Sequence, residues 1–449
     1  MRVDAGDDLQ DPTRVPGNSE ALAELLPPLT ANEASVEAAR CLMCFDAPCT
    51  HACPTHIDIP KFIKKISTGN LRGSARTILE SNLLGATCAR VCPVQELCEG
   101  ACVLGAEHKP ISIGRLQRYA MDHLNSRKID LFRPAAANGK SVAVIGGGPA
   151  GLSCAGELAR RGYAVTLFEK RDFAGGLSTY GIIGLREPVD VALAEVEMIR
   201  RLGVQIESGK ELGANLTLAE LQGKFGSIFV GVGLGATPDL GIAGEEHIID
   251  GLEYIEQSKL NARKMIIGRN VAVIGAGNTA IDCATIAKRL GAETVTMIYR
   301  RSENEMTAYT HEYDFIKREG VRFSFLTQPV RLLAENGAAK ALECVRMSLG
   351  GKDASGRPAP QPVAGSNFVM EADQVVKAIG QQKPSLISKL GLKTTKGFIQ
   401  VDGNFETSLP GVFAGGDCIR AHGAASTVMA VQDGKLAARA IHERLKTHG

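Results

Sequence analysis

The stretch Lys140–Lys170, KSVAVIGGGPAGLSCAGELARRGYAVTLFEK, decides the fold of this chain. Its apolar run Val142–Ile145 has the length and β-branched content of a buried strand. Gly146-x-Gly148-x-x-Gly151 then opens a helix, and a second strand over Ala164–Phe168 ends in Glu169. A bound dinucleotide needs each part. Gly146 makes the tight turn, Gly148 lets backbone approach a pyrophosphate, and Gly151 lets helix and strand pack closely, while the helix N-terminus offsets phosphate charge. Glu169 stands 21 residues beyond Gly148, where a carboxylate accepts from ribose hydroxyls. Three spaced glycines alone are weak; framed by strand, helix and acid they are specific.

A second fingerprint, RNVAVIGAGNTAIDCATIAKRLGAETVTMIYRR, runs from Arg269 to Arg301. Val271–Ile274 reads as the strand and Gly275-x-Gly277-x-x-Ala280 as the turn and helix start. The following strand, Val295–Tyr299, ends in Arg300 and Arg301 instead of an acid. A missing carboxylate with guanidinium groups in its place points to a 2′-phosphate, hence NADPH before NADH. Near the C-terminus, a strand over Gly411–Ala414 enters Gly415-Gly416-Asp417, and a helix starts near Ser426. Asp417 can accept from a flavin ribityl hydroxyl at such a turn. Two fingerprints followed by this segment give the order of a flavoprotein with two dinucleotide sites, an α/β protein whose FAD domain is split by an NAD(P)H domain.

Working back toward the N-terminus, eight of the 12 cysteines lie within Cys41–Cys102. They form two runs, CLMCFDAPCTHACP (Cys41, Cys44, Cys49, Cys53) and CARVCPVQELCEGAC (Cys88, Cys92, Cys98, Cys102). The first resembles the bacterial ferredoxin run, in which three thiolates hold one cluster and the last serves its neighbour. Thiolates at these spacings suit iron–sulfur clusters and also zinc, with His51 and His56 close by in sequence. The Cys-Pro steps and the flavoprotein company favour two [4Fe–4S] clusters. Between the runs, Phe62, Ile63, Ile66, Leu71, Ile78 and Leu79 recur at helical spacing, so an all-α iron–sulfur domain is expected. Residues 1–30 read as an extended arm, and Phe132–Gly139 as a linker. The expected domains are 1–130 (iron–sulfur), 139–237 with 380–449 (FAD), and 238–379 (NAD(P)H).

Composition sets outer limits. A chain of 449 residues, 44% hydrophobic and 22% charged, is long and apolar enough for several cores, which excludes a disordered chain. Its formal net charge of +2 gives no electrostatic case for nucleic acid or an anionic membrane. The most apolar stretch, Ser141–Ala155, is too short to span a bilayer, and residues 1–20 lack a signal-like apolar core. A cytoplasmic protein is expected, where disulfides do not persist. Cys154, Cys283, Cys344 and Cys418 are isolated, with no C-x-x-C beside a flavin site. That argues against a disulfide reductase.

From about Ala34 onward the chain resembles the electron-input portion of dihydropyrimidine dehydrogenases, in particular their separate bacterial subunits. The matching stretches are ARCLMCFDAPCTHACPTHIDIPKFI, LLGATCARVCP, IGRLQRYAMD, FEKRDFAGGLSTYGI and VIGAGNTAIDCA. The small subunit of glutamate synthase shares the architecture; DAPC in the first run and Gln117 in IGRLQRY favour the pyrimidine branch. The resemblance implies one cluster on Cys41, Cys44, Cys49 and the amide oxygen of Gln117. The other falls to Cys53, Cys92, Cys98 and Cys102, with Cys88 a non-ligand. It implies FAD at Gly148, Glu169, Leu177, Arg186 and Asp417, with Thr427 near the flavin. The nicotinamide coenzyme falls to Gly277, Asn278, Thr279 and Arg300, with Ala378 and Gly380 at the crossover. Two departures stand out. Animal relatives carry a further Arg where this chain has Thr307, which leaves NADH open, and the family's FRLP appears as LREP (Leu185–Pro188).

The function implied is hydride transfer from NAD(P)H to FAD, then single-electron transfer through two clusters to a separate FMN- and iron–sulfur-containing subunit that reduces uracil or thymine. The expected assembly is a hetero-oligomer. Hydride transfer needs no side-chain acid or base, so no paired carboxylates or triad are sought. Two alternatives are electron supply to a glutamine amidotransferase subunit and a non-catalytic iron–sulfur sensor or scaffold. His422, beside the Gly416-Asp417 turn, reads as a solvated loop residue.

Overall fold

A computed structural model describes residues 23–353, 356–420 and 426–447. Residues 1–22 of the arm expected over residues 1–30, and His422, lie outside the described residues. The chain forms two compact units. One comprises Leu25–Thr179, Arg186–Gly235 and Lys383–Gly449; the other holds Ala236–Gln382 with Tyr180–Leu185. Among the described residues, no helix is long and apolar enough to cross a membrane.

The first unit begins with helices built as the apolar spacing predicts. Thr30 and Glu33 form a reciprocal capping box at the start of Ala31–Ala39. Asp58 caps Ile59–Ser67, and Asn70 caps Leu71–Ser81. Their inner faces meet the Ile113–Ser126 helix in a core of Phe62, Ile63, Ile78, Leu79 and Leu116, all fully buried. Each contributes roughly 1.5–3 kcal/mol by leaving water.

The same unit carries a five-stranded parallel sheet in the order Val412–Ala414, Ser227–Val230, Ser141–Ile145, Ala164–Phe168, Gln205–Glu207. Helix Pro149–Ala159 crosses from the third strand to the fourth. Its approach to the turn requires glycine at 151, where a Cβ would lie 1.9 Å from Gly146 O. The final helix, Thr427–Thr447, packs on the sheet with Val431, Ala437, Ala438 and Ile441 in the core.

In the second unit, a parallel sheet runs Ile249–Asp250, Gln374–Lys377, Asn270–Ile274, Thr294–Ile298, Arg322–Ser324. Between the last of these strands and the return at Gln374 comes an antiparallel group: Thr327–Glu335, Ala338–Lys352, Pro358–Pro362 and Phe368–Glu371. The sequence reading did not isolate it. Helix Asn278–Arg289 buries Ala280, Ile281, Cys283 and Ala284 against the parallel sheet.

Candidate functional site

The first glycine loop is built to hold an anion. Gly146 has φ +95°, Gly148 is the N-cap of Pro149–Ala159, and the first-turn N–H groups face the loop. Glu169 is buried; its Oε2 accepts from Gly147 N at 2.7 Å and its Oε1 from Arg171 N at 2.9 Å. The carboxylate is thereby fixed at the loop with lone pairs to spare for ribose hydroxyls. Gly175 N donates to Gly147 O at 2.7 Å, so the chain before Leu177 doubles back on the loop. Leu177 opens the short helix Leu177–Tyr180 and is 40% exposed. Arg186 follows, half-buried.

At the C-terminal turn, Gly416 has φ +80° and Asp417 starts a single 3₁₀ turn. Burial pushes the Asp417 carboxyl above its usual pKa, partly countered by Arg420 and reinforced by Asp433. Asp433 was not apparent from sequence. Its Oδ2 accepts from Gly416 N at 2.9 Å and pairs with Arg420, so it clamps the Gly416–Asp417 turn to the final helix. Thr427 begins that helix, half-buried. The only sequence signal for Asp433 was an acid among the largely apolar residues of this helix.

The second glycine loop repeats the geometry of the first. Gly275 has φ +135°, with its Cβ direction blocked by Ala378 O at 2.2 Å, and Gly277 caps Asn278–Arg289. Ala280 is fully buried under the loop and Thr279 follows Asn278 in the first turn. Asn278 Oδ1 accepts from Tyr309 N at 3.1 Å, and Thr307 N and Ala308 N both donate to Ala276 O, so the segment through Thr307 borders the loop. Ala378 N continues the sheet by donating to Ile274 O at 2.8 Å, and Gly380 turns with φ +95°.

The two arginines separate. Arg300 is exposed at the strand end. Arg301 is 2% exposed; its Nη2 binds Asp353 Oδ2 at 2.5 Å and its Nε donates to Pro358 O at 2.9 Å. Held at Nε and Nη2, that guanidinium anchors the antiparallel strands, whereas the sequence pattern had placed it on a 2′-phosphate. Arg300 is the one left to face solvent.

The thiols group differently from the expectation. Cys41, Cys44, Cys49 and Cys102 line one cavity, together with Leu42, Ile59, Ile63, Val103 and Ile113. Cys49 has its thiol pushed up to about 11 by burial, then by the charges of Cys102, Cys41 and Cys44. Cys92, pushed up by a hydrogen bond with Cys88 and by burial, stands in the field of Cys98 and Cys53. The last cysteine of each run therefore crosses to the other site. Cys53 leaves the first run and Cys102 leaves the second, because Cys102 ends a series of tight turns and caps the 3₁₀ helix Val103–Ala106 on the cavity wall. This corrects the placement of Cys102 with Cys53, Cys92 and Cys98. Gln117 does not line the Cys41 cavity; its buried Nε2 donates to Gly85 O at 2.7 Å, in the helix that carries Cys88 and Cys92.

Two non-glycine residues inside the first run, Met43 and Asp46, have φ of +52° and +49°. Sequence gives no sign of this. The left-handed turns curl the backbone around the cavity and aim Met43 N at Cys41 Sγ. His51 is exposed and bonded to Asp46 Oδ1 at 2.5 Å, which occupies it away from the thiols. Among the described residues, no three His, Cys, Asp or Glu side chains converge as a single metal ion requires. Four soft donors stand around a space instead, with the Cys41 and Cys49 thiols raised in pKa by burial, and a cationic iron–sulfur core would offset the thiolate charge on binding.

Residues 18–129 match the dihydropyrimidine dehydrogenase domain II, 4Fe-4S cluster family, and residues 140–434 match the pyridine nucleotide-disulphide oxidoreductase family. The PreT subunit of NAD-dependent dihydropyrimidine dehydrogenase from Escherichia coli strain K12 is 35% identical over 425 residues, 95% of this chain and 97% of that protein. The chain belongs to the PreT family of iron–sulfur flavoprotein subunits.

Another relative is subunit beta of the NADP(+)-dependent formate dehydrogenase of Moorella thermoacetica, 39% identical over 428 residues, 89% of this chain. The chain spans 60% of that protein's length. FprA of Mycobacterium tuberculosis has the same fold with a TM-score of 0.56 at 17% identity, over 69% of this chain and 85% of that one. The protein is thus an electron-transfer flavoprotein subunit that binds a 4Fe-4S cluster, FAD and NAD(P)H.

Proposed function

We propose that this chain is the electron-input subunit of a dihydropyrimidine dehydrogenase, handing electrons to an FMN- and iron–sulfur-containing subunit that reduces uracil or thymine. The observation that carries the reading is the graded placement of the two thiol sites. Of the second site, Cys92 packs with Cys88 at the hydrophobic core beneath the first glycine loop, while Cys53 and Cys98 join the helical core. The Cys41 site lies in the helical core and opens beside the exposed side chains Leu42 and Val103. One site borders the flavin fold and the other meets the surface, as a relay toward a partner requires.

When bound, FAD would supply acceptance of one hydride, two electrons together, from NAD(P)H, and [4Fe–4S] clusters would pass those electrons on singly. The chain's own residues position and insulate. Gly148 and the helix it caps hold the pyrophosphate, Glu169 the ribose, and Asp417, clamped by Asp433, the ribityl chain. Gly277 and its helix hold the coenzyme, and exposed Arg300 favours NADPH over NADH. Cys41, Cys44, Cys49 and Cys102 hold one cluster. Cys53, Cys92 and Cys98 hold the other, with Gln117, bonded through Nε2 to Gly85 O at the start of the helix that leads to Cys92, as the fourth donor.

Full-length likeness to PreT supports the pyrimidine partner; the higher identity to the formate dehydrogenase subunit favours a second reading, electron exchange with a formate-oxidising subunit. Anaerobic pull-down of the tagged chain from its host separates them. Recovery of an FMN subunit and NAD(P)H-dependent uracil reduction support the first reading; recovery of a formate-oxidising subunit replaces it. Absence of flavin bleaching by either coenzyme would remove both.

A further inference from the structure

The final helix, Thr427–Thr447, closes the flavin-type fold, yet one of its side chains leaves that fold for the thiol domain. The helix lies so near Pro149–Ala159 that a Cβ on Gly434 would sit 2.0 Å from Ala150 O. Ser153 Oγ, on the latter helix, donates to Val431 O at 2.7 Å. This seating fixes the direction of the next residue. Lys435 is 5% exposed, and its Nζ donates to Thr55 O at 2.8 Å and Ser81 O at 2.9 Å. Thr55 lies two residues past Cys53, and its Oγ1 is 3.4 Å from Cys53 Sγ. A cation from the flavin-side helix thus reaches the wall of the Cys53–Cys92–Cys98 site.

Both direct partners are neutral carbonyls. The carboxylate whose field reaches Lys435, Glu157, is itself paired with Arg160 and Arg161, and Arg439 adds like charge. A buried ammonium without a bonded anion is costly, and a neutral side chain of similar length would serve packing better. Burial pushes Lys435 down to a pKa of about 8, and the anion that opposes this from the thiol side is Cys53. Counted with its thiolates, a [4Fe–4S] cluster is anionic and gains one more negative charge on reduction, and nearby charge is one of the terms that set its potential.

We propose that Lys435 is a positioning residue for electron entry into the second cluster: its ammonium stabilises the reduced cluster electrostatically and ties the flavin-side helix to the Cys53 turn. The inference rests on the two-cluster reading and deepens it.

The test is an anaerobic potentiometric EPR titration of the loaded protein, comparing wild type with Lys435→Met, Lys435→Gln and Lys435→Arg, with iron and flavin contents measured alongside. The signal of the second cluster is identified by its loss in Cys92→Ser. In the neutral variants that cluster should become about tenfold harder to reduce, a shift of ~59 mV for one electron. The Cys41 cluster should move less, and Lys435→Arg should stay near wild type. Glutamine retains a donor for one carbonyl and so serves where methionine fails to fold. A loaded neutral variant with an unshifted second cluster overturns the proposal. So does loss of that cluster from both neutral variants, which would make Lys435 a structural tie alone. A wild-type protein with one cluster signal overturns the two-cluster reading instead.

Discussion

Glu195 caps the helix that leads to the second thiol site: its Oε1 accepts from Ala86 N at 2.6 Å, and its Oε2 from Thr87 N at 3.2 Å. Helix Gly85–Val91 has no side-chain cap of its own and ends at Cys92, so a carboxylate from Val189–Arg201 supplies what the local sequence lacks. Thr87 Oγ1 donates in turn to Glu187. Two acids from the flavin-side chain therefore orient the segment bearing Cys88 and Cys92.

A pH dependence follows from that burial. Desolvation, with the charge of Glu187, pushes Glu195 from 4.5 up to about 8 despite its hydrogen bonds. Between those values the folded protein keeps a proton that the unfolded chain has released. The stability contributed is full below about pH 4.5 and is lost as pH rises through about 8, at up to about 1.4 kcal/mol per pH unit. Denaturant unfolding of wild type and Glu195→Gln at pH 5, 6.5 and 8 should show wild type losing ground steadily as pH rises. A difference independent of pH would refute the assignment.

Coenzyme choice should divide between adjacent arginines. Arg300→Ala should raise KM for NADPH about 10- to 100-fold and leave KM for NADH and unfolding unchanged, as expected for one charge-assisted contact. Arg301→Ala should instead cost stability, about 1–3 kcal/mol, by taking the guanidinium from Asp353 and Pro358 O. Steady-state kinetics with both coenzymes, beside thermal unfolding, checks the split. Equal effects of the two variants on NADPH alone would put Arg301 back in the coenzyme site.

What the sequence made legible was whatever local pattern controls. The strands Ser141–Ile145, Ala164–Phe168 and Asn270–Ile274 were visible because an apolar run and a glycine turn are adjacent in sequence. The helices Ile59–Ser67 and Leu71–Ser81 were visible through their apolar spacing. Asp433, Glu195 and Lys435 were not, because each acts on backbone far along the chain: Gly416, Ala86, and Thr55 with Ser81. The two arginines read alike because only the distant Asp353 tells them apart. Thiol grouping fell between these cases. Spacing gave the runs, whereas the crossing of Cys102 depends on turns that carry no strong residue signature.

The close approach at Gly151 gives a third prediction. A methyl group there meets Gly146 O, which is backbone and has little room to retreat. Gly151→Ala should lower stability by about 1–3 kcal/mol through overpacking and reduce bound flavin by distorting the loop. Gly351→Ala, with nothing within 4 Å, is the control and should leave both unchanged. Absorbance at the flavin band relative to protein reads the outcome; full flavin content in Gly151→Ala would show that the helix can shift without opening the loop.

The crossing of the two cysteine runs gives the fourth. Cys102 shares the cavity of Cys41, Cys44 and Cys49, so Cys102→Ser should abolish the surface-side cluster and leave the one at Cys53, Cys92 and Cys98 intact. Iron should fall from about eight to about four per chain, and the surviving EPR signal should be the one that Cys92→Ser removes. Cys88 is buried, hydrogen-bonded to Cys92, and outside the ligand set proposed here. Cys88→Ser should therefore keep both clusters, while Gln117→Ala should change the spectrum of the second cluster only. Had Cys102 stayed with its own run, Cys102→Ser would instead remove the cluster shared with Cys92, and the two serine variants would be spectroscopically alike. Loss of iron in Cys88→Ser, with Gln117→Ala unchanged, would assign the fourth position to the Cys88 thiolate.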